Sequence, residues 1–236
     1  MPRLSDPRHL RKLAAGVALI AAPLVLLVGA VIHPQVEDAA AEHLAVAADA
    51  PDRYYVAHSV LLAGLVLFVP ALLGLVHLLE ERAPAFGHVG AGLATLGLFG
   101  ATAVVAVDGI AVSQMARSGM DAGVMTALLD DIKESGGLRG IAIVGAVAFL
   151  VGVLLLAYGL WRAKAVQAWI AGGIAAAAIA VFIAQVADHR LIFVIAFALY
   201  LVALGPLGWK ILTESDEDWT GNLTGYVPPL RPSGAG

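Results

Sequence analysis

Three histidines and two aspartates are the side chains of this sequence that could together bind a metal ion. They are His33, His58, Asp108, Asp188 and His189. Imidazole and carboxylate groups are common ligands of Zn²⁺ and Cu²⁺. No HExxH or HxxxH pattern places two ligands on one helical turn. A metal site is therefore expected only if the fold brings these separate positions together.

A haem held by paired histidines is an alternative to a metal ion. His58 and His77 lie on one predicted helix, and they are separated by roughly 28 Å at the rise of an α-helix. His77 and His88 flank a charged turn at Glu80 and Arg82. Axial ligation by such pairs would place two haems toward opposite faces. We predict no bound cofactor and keep Zn²⁺, Cu²⁺ or haem as alternatives.

The sequence contains no recognisable motif for other kinds of catalytic chemistry. The chain contains no cysteine, which excludes disulfides, thiolate metal sites and cysteine nucleophiles. It also has no Walker motif, nucleophile elbow, zincin helix or dinucleotide-binding glycine fingerprint. The net charge of −4 argues against a nucleic-acid partner, because such a partner requires a basic surface. These absences favour a non-catalytic protein.

The elements that must position these residues are long and apolar. Hydrophobic residues make up 60% of the chain and charged residues 14%, against roughly 45–50% and 25% in a soluble domain. Six runs reach the length of about 20 residues that a membrane helix needs. The sequence predicts an all-α, polytopic membrane bundle with spans at Leu13–Ile32, Val56–Leu79, His88–Val112, Leu138–Trp161, Gln167–Ala187 and Leu191–Leu212.

The connections between the spans predict further features. Apolar residues at helical spacing over 120–134 predict an outer amphipathic helix, lying on the bilayer surface, on the bundle or as a lid over a cavity. The acidic first outer loop is expected to hold a short helix that ends before Pro51. A tight turn at Asp188–Arg190 separates the last two spans. We predict a transmembrane domain over 1–212 and a disordered cytoplasmic tail over 213–236.

The distribution of basic residues predicts the orientation. With the N-terminus inside, the inner side carries more Lys and Arg than the outer side, as the positive-inside rule requires. The inner set is Arg3, Arg8, Arg11, Lys12, Arg82, Arg162, Lys164 and Lys210. We therefore predict a multi-pass protein of the cytoplasmic membrane with both termini in the cytoplasm. A cleaved signal peptide at the first span is disfavoured by that span's length.

A weak internal repeat with a shift of 81 residues aligns the second and third spans with the fourth and fifth. Gly64 then aligns with Gly145, and Gly92 with Gly173. A real duplication would make these four spans a core flanked by the first and last spans. Chance matches in a sequence rich in Ala, Val and Leu are the alternative.

The centres of the spans contain no charged residue, and only mild polar groups such as Thr95, Thr102 and Tyr200. This argues against an ion pump with a buried carboxylate relay. Three functions remain: a structural, accessory or small-molecule-permeating role; a metal- or haem-binding redox role using the outer histidines; or transport of an apolar or weakly polar solute. The expected partners are the lipid bilayer and a second copy or a membrane complex.

The layout resembles uncharacterised six-helix bacterial membrane proteins of an actinobacterial type. The resemblance includes a basic N-terminus, an acidic outer loop, and the stretch Gly159–Arg162 leading to Trp169–Gly173. It covers all six spans and implies a fold and a location. It implies no functional residue.

Overall fold

Six long apolar helices dominate the structure, a computed structural model that describes residues 7–36, 39–216 and Trp219. Each is long and apolar enough to cross a membrane, which confirms the predicted all-α bundle of six spans. In order, the helices are α1 (Pro7–Ile32), α2 (Ala40–Asp49), α3 (Pro51–His77), α4 (Pro84–Ala106), a π-helix (Val107–Val112), α5 (Ser113–Arg117), α6 (Ala122–Glu134), α7 (Gly136–Arg162), α8 (Ala168–Ala187) and α9 (Arg190–Thr213).

Local sequence signals set several helix ends. Pro51 and Pro84 begin α3 and α4, where proline's missing N–H costs no helical hydrogen bond. Asp121 and Ser135 cap α6 and α7 by accepting a backbone N–H. Asp188 ends α8 in the left-handed conformation, with φ 46° and ψ 49°, which aspartate tolerates better than most residues. The predicted turn between the last two spans is confirmed.

The six long helices form a closed ring in chain order. Each of α1, α3, α4, α7, α8 and α9 packs against the helix before and after it, and α9 returns to α1. The first and last spans therefore complete the ring, instead of flanking a four-helix core as the repeat alignment implied. Large apolar side chains cover the outside of the ring, among them Val66, Phe99 and Val186. Such a surface suits contact with lipid.

The two ends of the ring differ. We call the end that carries α2 and α6 the cap end, and the end at the α3–α4 and α7–α8 turns the tail end. On the tail side of the ring, buried leucines of facing helices fill the interior, including Leu75, Leu156 and Leu204. At the cap end, Leu44, Met125 and Leu129 of α2 and α6 form a second apolar cluster with α3 and the π-helix.

The two helices predicted in the connections between spans are confirmed as α2 and α6. Met125 and Leu129 of α6 are buried, whereas Val124 and Leu128 remain exposed. The apolar stripe of α6 therefore packs on the bundle along one edge only. This arrangement combines the expected bundle packing with an exposed apolar strip beside the lipid-facing surface.

The beginning of the predicted tail lies against the tail end of the ring. Lys12 is 4% exposed, and its Nζ lies 2.6 Å from a carboxylate oxygen of Asp216. The Trp219 ring stacks on His77 with 3.8 Å between ring centroids. The rest of the predicted disordered tail, residues 217–218 and 220–236, lies outside the described residues.

Helices α4 and α7 approach most closely along a glycine seam. A Cβ added at Gly152 would lie 2.6 Å from the carbonyl oxygen of Gly90 and would also collide with the backbone nitrogen of Ala94. A Cβ at Gly97 would lie 2.6 Å from the carbonyl oxygen of Gly145. Backbone atoms of a packed helix cannot rotate away, so the seam requires residues without a side chain.

The glycine seam predicts opposite effects for two Gly→Ala substitutions. Gly152→Ala should lower the free energy of unfolding by about 1–3 kcal/mol, because the added methyl group overpacks the seam. Gly92 lies on α4 as well, but it is exposed and a Cβ there meets nothing within 4 Å. Gly92→Ala should be neutral or stabilising, since alanine favours helix by about 1 kcal/mol. Thermal unfolding in detergent measures the stability of both variants. Equal effects of the two substitutions would contradict the close packing of α4 and α7 at the glycine seam.

Candidate functional site

Five side chains meet at the cap end in one hydrogen-bonded group, which we call the polar cluster: His33, His43, Tyr54, His58 and Asp108. His33 follows the end of α1, His43 lies on α2, and Asp108 lies in the π-helix. Tyr54 and His58 are four residues apart on α3, so they share one face of that helix. Three separate helices and a loop therefore contribute to the group.

The π-helix and a glycine position Asp108 beside His58. A π-helix widens the helical turn and occurs often at functional sites. Gly109 packs directly on His58, and a Cβ added at Gly109 would lie 2.7 Å from its ring carbon Cγ. The absence of a side chain at this position lets α3 approach the π-helix. The approach brings the carboxylate of Asp108 within hydrogen-bonding distance of α3.

The hydrogen bonds form a branched chain around Asp108. His43 Nε2 lies 2.7 Å from the Tyr54 hydroxyl, which donates to Asp108 Oδ2 at 2.9 Å. His58 Nε2 lies 3.0 Å from the same carboxylate oxygen. His33 Nε2 lies 3.4 Å from His58 Nε2. The Asp108 side chain remains 29% exposed, whereas His43 and His58 are almost fully buried.

The partners of each ring nitrogen define the protons in the cluster. His58 Nδ1 faces the Tyr54 carbonyl oxygen at 2.9 Å, and its Nε2 faces the Asp108 carboxylate. Both partners only accept, so each ring nitrogen of His58 faces an acceptor, one a backbone carbonyl and the other a carboxylate. His33 Nδ1 donates to the Pro34 carbonyl oxygen at 2.6 Å, which leaves a lone pair on Nε2. The cluster thus places His58 between two acceptors and beside the neutral imidazole of His33.

Burial keeps the two histidines outside the spans neutral. Burial, and after it the neighbouring His58, lowers the pKa of His33 from 6.5 to about 4. Burial also lowers the pKa of His43, and the nearby carboxylate of Asp108 opposes that effect. A neutral imidazole can donate with one nitrogen and accept with the other. His33 and His43 therefore act as hydrogen-bonding groups at neutral pH.

Two arginines and a glutamine hold the segment that carries His33. Arg190 Nη1 donates to the His33 carbonyl oxygen at 2.9 Å, and Arg53 Nε donates to that of Ile32 at 2.7 Å. The Gln35 side chain accepts from the backbone nitrogen of Arg190 and donates to the carbonyl oxygen of Asp188. These bonds tie the end of α1 to α3 and to the α8–α9 turn.

The polar cluster lies at one end of a cavity of about 440 Å³ inside the ring. All six long helices line the cavity, and Leu129, Ile132 and Lys133 of α6 line its cap end. Its charged lining residues are Asp108, Lys133, Asp188 and Arg190, all at the cap end. Its deep wall is apolar and ends at Phe68 and Tyr200, whose rings lie 5.3 Å apart.

The depth of the cavity follows from helix geometry. His58 and Phe68 both line it and are ten residues apart on α3. At 1.5 Å per residue, they are separated by about 15 Å along the helix axis. The lining of α9 from Arg190 to Tyr200 spans the same length. The cavity therefore extends from the cap end to about the middle of the spans.

The structure brings together three of the five residues predicted to bind metal: His33, His58 and Asp108. Asp188 also lines the cavity, whereas His189 precedes α9 and is not part of the lining. Within residues 7–36, 39–216 and Trp219, no group of three or more His, Asp or Glu residues is arranged to hold a metal ion. Metal binding therefore stays a prediction from the sequence.

The histidines considered for haem lie far apart in different surroundings. His58 belongs to the polar cluster at the cap end. At the tail end, the two ring nitrogens of His77 face Glu80 at 3.4 Å and the Trp219 carbonyl oxygen at 3.0 Å. His77 thus has a partner at each nitrogen, and it does not line the cavity that His58 lines. Haem binding also stays a prediction.

Four residues of the site were missed from the sequence: His43, Tyr54, Gln35 and Arg190. His43 lies in a loop helix that was interpreted as a solvated acidic segment. The spacing of Tyr54 and His58 places both on one helix face, and this signal could have identified Tyr54. The roles of Gln35 and Arg190 depend on contacts between distant segments, which leave no local pattern.

Removing one hydroxyl should destabilise the polar cluster. Tyr54→Phe removes one of the two hydrogen bonds to Asp108 Oδ2 and leaves His43 Nε2 without the Tyr54 hydroxyl, which should lower the free energy of unfolding by about 1–3 kcal/mol. The adjacent Tyr55 is 43% exposed, so Tyr55→Phe is the matched control. This substitution should change the free energy of unfolding by less than about 0.5 kcal/mol. Thermal unfolding in detergent measures the difference. Equal stabilities of the two variants would show that the chain of hydrogen bonds contributes nothing.

His33 should make stability depend on pH. Between pH 6.5 and about 4 the unfolded chain binds the His33 proton and the folded protein does not, so the free energy of unfolding falls as the pH falls. We expect the melting temperature to drop by about 5 °C from pH 7 to pH 5. The lowered pKa of His43 acts in the same direction. His33→Gln should reduce the drop, and an unchanged pH profile in that variant would contradict the assignment.

Comparisons with protein-family models, curated proteins and solved structures found no match for this chain. The resemblance to six-helix bacterial membrane proteins therefore stays a prediction. We infer the function of this six-span helical protein from the cavity and the polar cluster.

Proposed function

We propose that this protein binds a small, weakly polar molecule in the cavity of its six-helix ring, as the binding step of a permeation or transport role. The ligand's polar group lies at the polar cluster, and its apolar part extends along the deep wall. The cavity itself carries this proposal, because one space combines an apolar wall with several polar groups at one end. Ligand pockets in proteins have this composition and a volume of about 300–1,000 Å³.

The chemistry of the cluster supports a neutral or weakly polar head group. Tyr54 and His58 already hydrogen-bond the Asp108 carboxylate, so the cluster does not need a fully charged ligand to satisfy that group. The partly exposed carboxylate of Asp108 can accept a hydrogen bond from a hydroxyl group of the ligand. The remaining lining offers apolar contact, including Leu61, Leu65 and Phe149.

The packed interior on the tail side supports binding from the cap end. Leu75, Leu156 and Leu204 are buried between the cavity and the tail end, and close packing of this kind leaves no room for a solute. Passage across the whole membrane would therefore need a second arrangement of these helices. Pro70 and Pro206 lie inside α3 and α9, and proline weakens the helix at such positions.

We further propose that the protein lies in the cytoplasmic membrane with the tail end in the cytoplasm. The excess of Lys and Arg at the tail end supports this orientation. Trp161, Trp169 and Trp209 are half exposed or more and lie near the tail end of their helices. Tryptophan is enriched at membrane–water interfaces, so these residues suit one boundary of the bilayer. In this orientation the cavity receives its ligand from the outer side.

Filling the cavity tests the proposed binding. Ala146 lines the cavity on α7, so Ala146→Phe should occupy part of the space. Ala63 on α3 is exposed and does not line it, so Ala63→Phe is the matched control. The probe is radiolabelled 1-dodecanol, measured on protein in nanodiscs with empty nanodiscs as the baseline. Ala146→Phe should weaken binding at least tenfold, which corresponds to about 1.4 kcal/mol, and Ala63→Phe should leave it unchanged.

Two outcomes would contradict the proposal. Binding of 1-dodecanol that does not exceed the empty-nanodisc baseline would show that the cavity does not take such a molecule. Equal binding by both variants and the unsubstituted protein would place the bound probe outside the cavity. The melting temperature of each variant serves as the check that it is folded.

A further inference from the structure

The deep wall of the cavity contains one polar side chain that the proposed binding mode does not use. Tyr200 lines the cavity at about the middle of α9 and is 1% exposed. Among the described residues, its hydroxyl has no hydrogen-bond partner. A buried hydroxyl without a partner is destabilising, and most buried polar groups of native proteins have a hydrogen-bond partner.

The surroundings of Tyr200 disfavour a charged binding partner for its hydroxyl. Phe68 packs edge-on against its ring at 5.3 Å, and Phe197 and Leu98 also line this part of the cavity. Every charged residue of the lining lies at the cap end, about 15 Å away by helix rise. A charged group beside Tyr200 would have no counter-charge in this apolar region, and burying it would be costly. The group that suits the Tyr200 hydroxyl is an uncharged oxygen.

We propose that Tyr200 forms a deep subsite, where its hydroxyl bonds an uncharged oxygen at the far end of an elongated ligand. This inference rests on the proposed function, and it defines the class of ligand. The other end of the ligand lies at the polar cluster, near His33, His58 and Asp108. The ligand is therefore a narrow apolar molecule with a hydroxyl, carbonyl or ether oxygen at each end. An extended chain of about a dozen carbon–carbon bonds of ~1.5 Å, arranged in a zigzag, spans the 15 Å between them.

Two probes that differ by a single hydroxyl group test the subsite. 1,12-Dodecanediol carries an oxygen at each end, and 1-dodecanol lacks the second oxygen. The protein in nanodiscs should bind the diol about tenfold more tightly than the alcohol, after subtraction of partitioning into empty nanodiscs. Tyr200→Phe removes only the hydroxyl and keeps the ring. This variant should lose the preference for the diol and keep its affinity for the alcohol.

A second variant controls for the position of the hydroxyl. Tyr158 is 45% exposed on α7 and does not line the cavity, so Tyr158→Phe should preserve the tenfold preference. The unliganded proteins give an independent readout. Because Tyr200→Phe removes an unsatisfied buried hydroxyl, its melting temperature should rise by about 2–4 °C. A fall in melting temperature would show that the hydroxyl already has a structural partner, and would overturn the subsite.

The outcomes separate this inference from the proposed function. Equal binding of diol and alcohol by the unsubstituted protein, or a diol preference that survives Tyr200→Phe, overturns the deep subsite while cavity binding stands. Failure of both probes to bind above the nanodisc baseline contradicts the proposed function itself. A diol preference that is lost only in Tyr200→Phe supports both.

Discussion

The structure of the cap end depends on the need to pair one carboxylate, that of Asp108, at the edge of an apolar ring. Asp108 lies in a chain whose long helices are apolar enough to contact lipid. An unpaired charge in such surroundings is energetically costly. His58 and Tyr54 of α3 satisfy its oxygen directly, and His43 of α2 supports Tyr54. The short helix α2 is therefore more than a connection, because it closes the hydrogen-bonded chain around the Asp108 carboxylate. The π-helix and Gly109 allow the close approach that this pairing needs.

The ring combines tight packing on its tail side with a cavity nearer its cap end. On the tail side, leucines of facing helices fill the interior, and the glycine seam brings α4 and α7 into backbone contact. Nearer the cap end, the same helices present residues such as Ala101 and Ala146 to the interior. These small side chains do not fill the ring, so a cavity remains. Its one-sided polarity follows from the placement of all charged lining residues at the cap end.

Hydropathy predicted the helices well because their lengths follow from one physical requirement. Backbone groups in a bilayer need internal hydrogen bonds, so a long apolar run becomes a helix. Predicted and observed spans agree to within a few residues at most ends, as with Gln167–Ala187 against α8. The larger differences come from proline and capping residues, since Pro51 and Pro84 begin helices several residues before the apolar run. The π-helix was missed because no composition distinguishes it from α-helix.

The sequence by itself determined the six long apolar helices, the amphipathic helix α6 and the location of the ionisable residues near span ends. These features depend on local composition and on the low polarity of lipid. Only the tertiary structure decided that His33, His58 and Asp108 meet, that His43 and Tyr54 join them, and that His189 stays apart. It also decided that Tyr200 lines a cavity. Such contacts depend on how six helices rotate and close into a ring, and rotation about a helix axis is set by packing between distant segments.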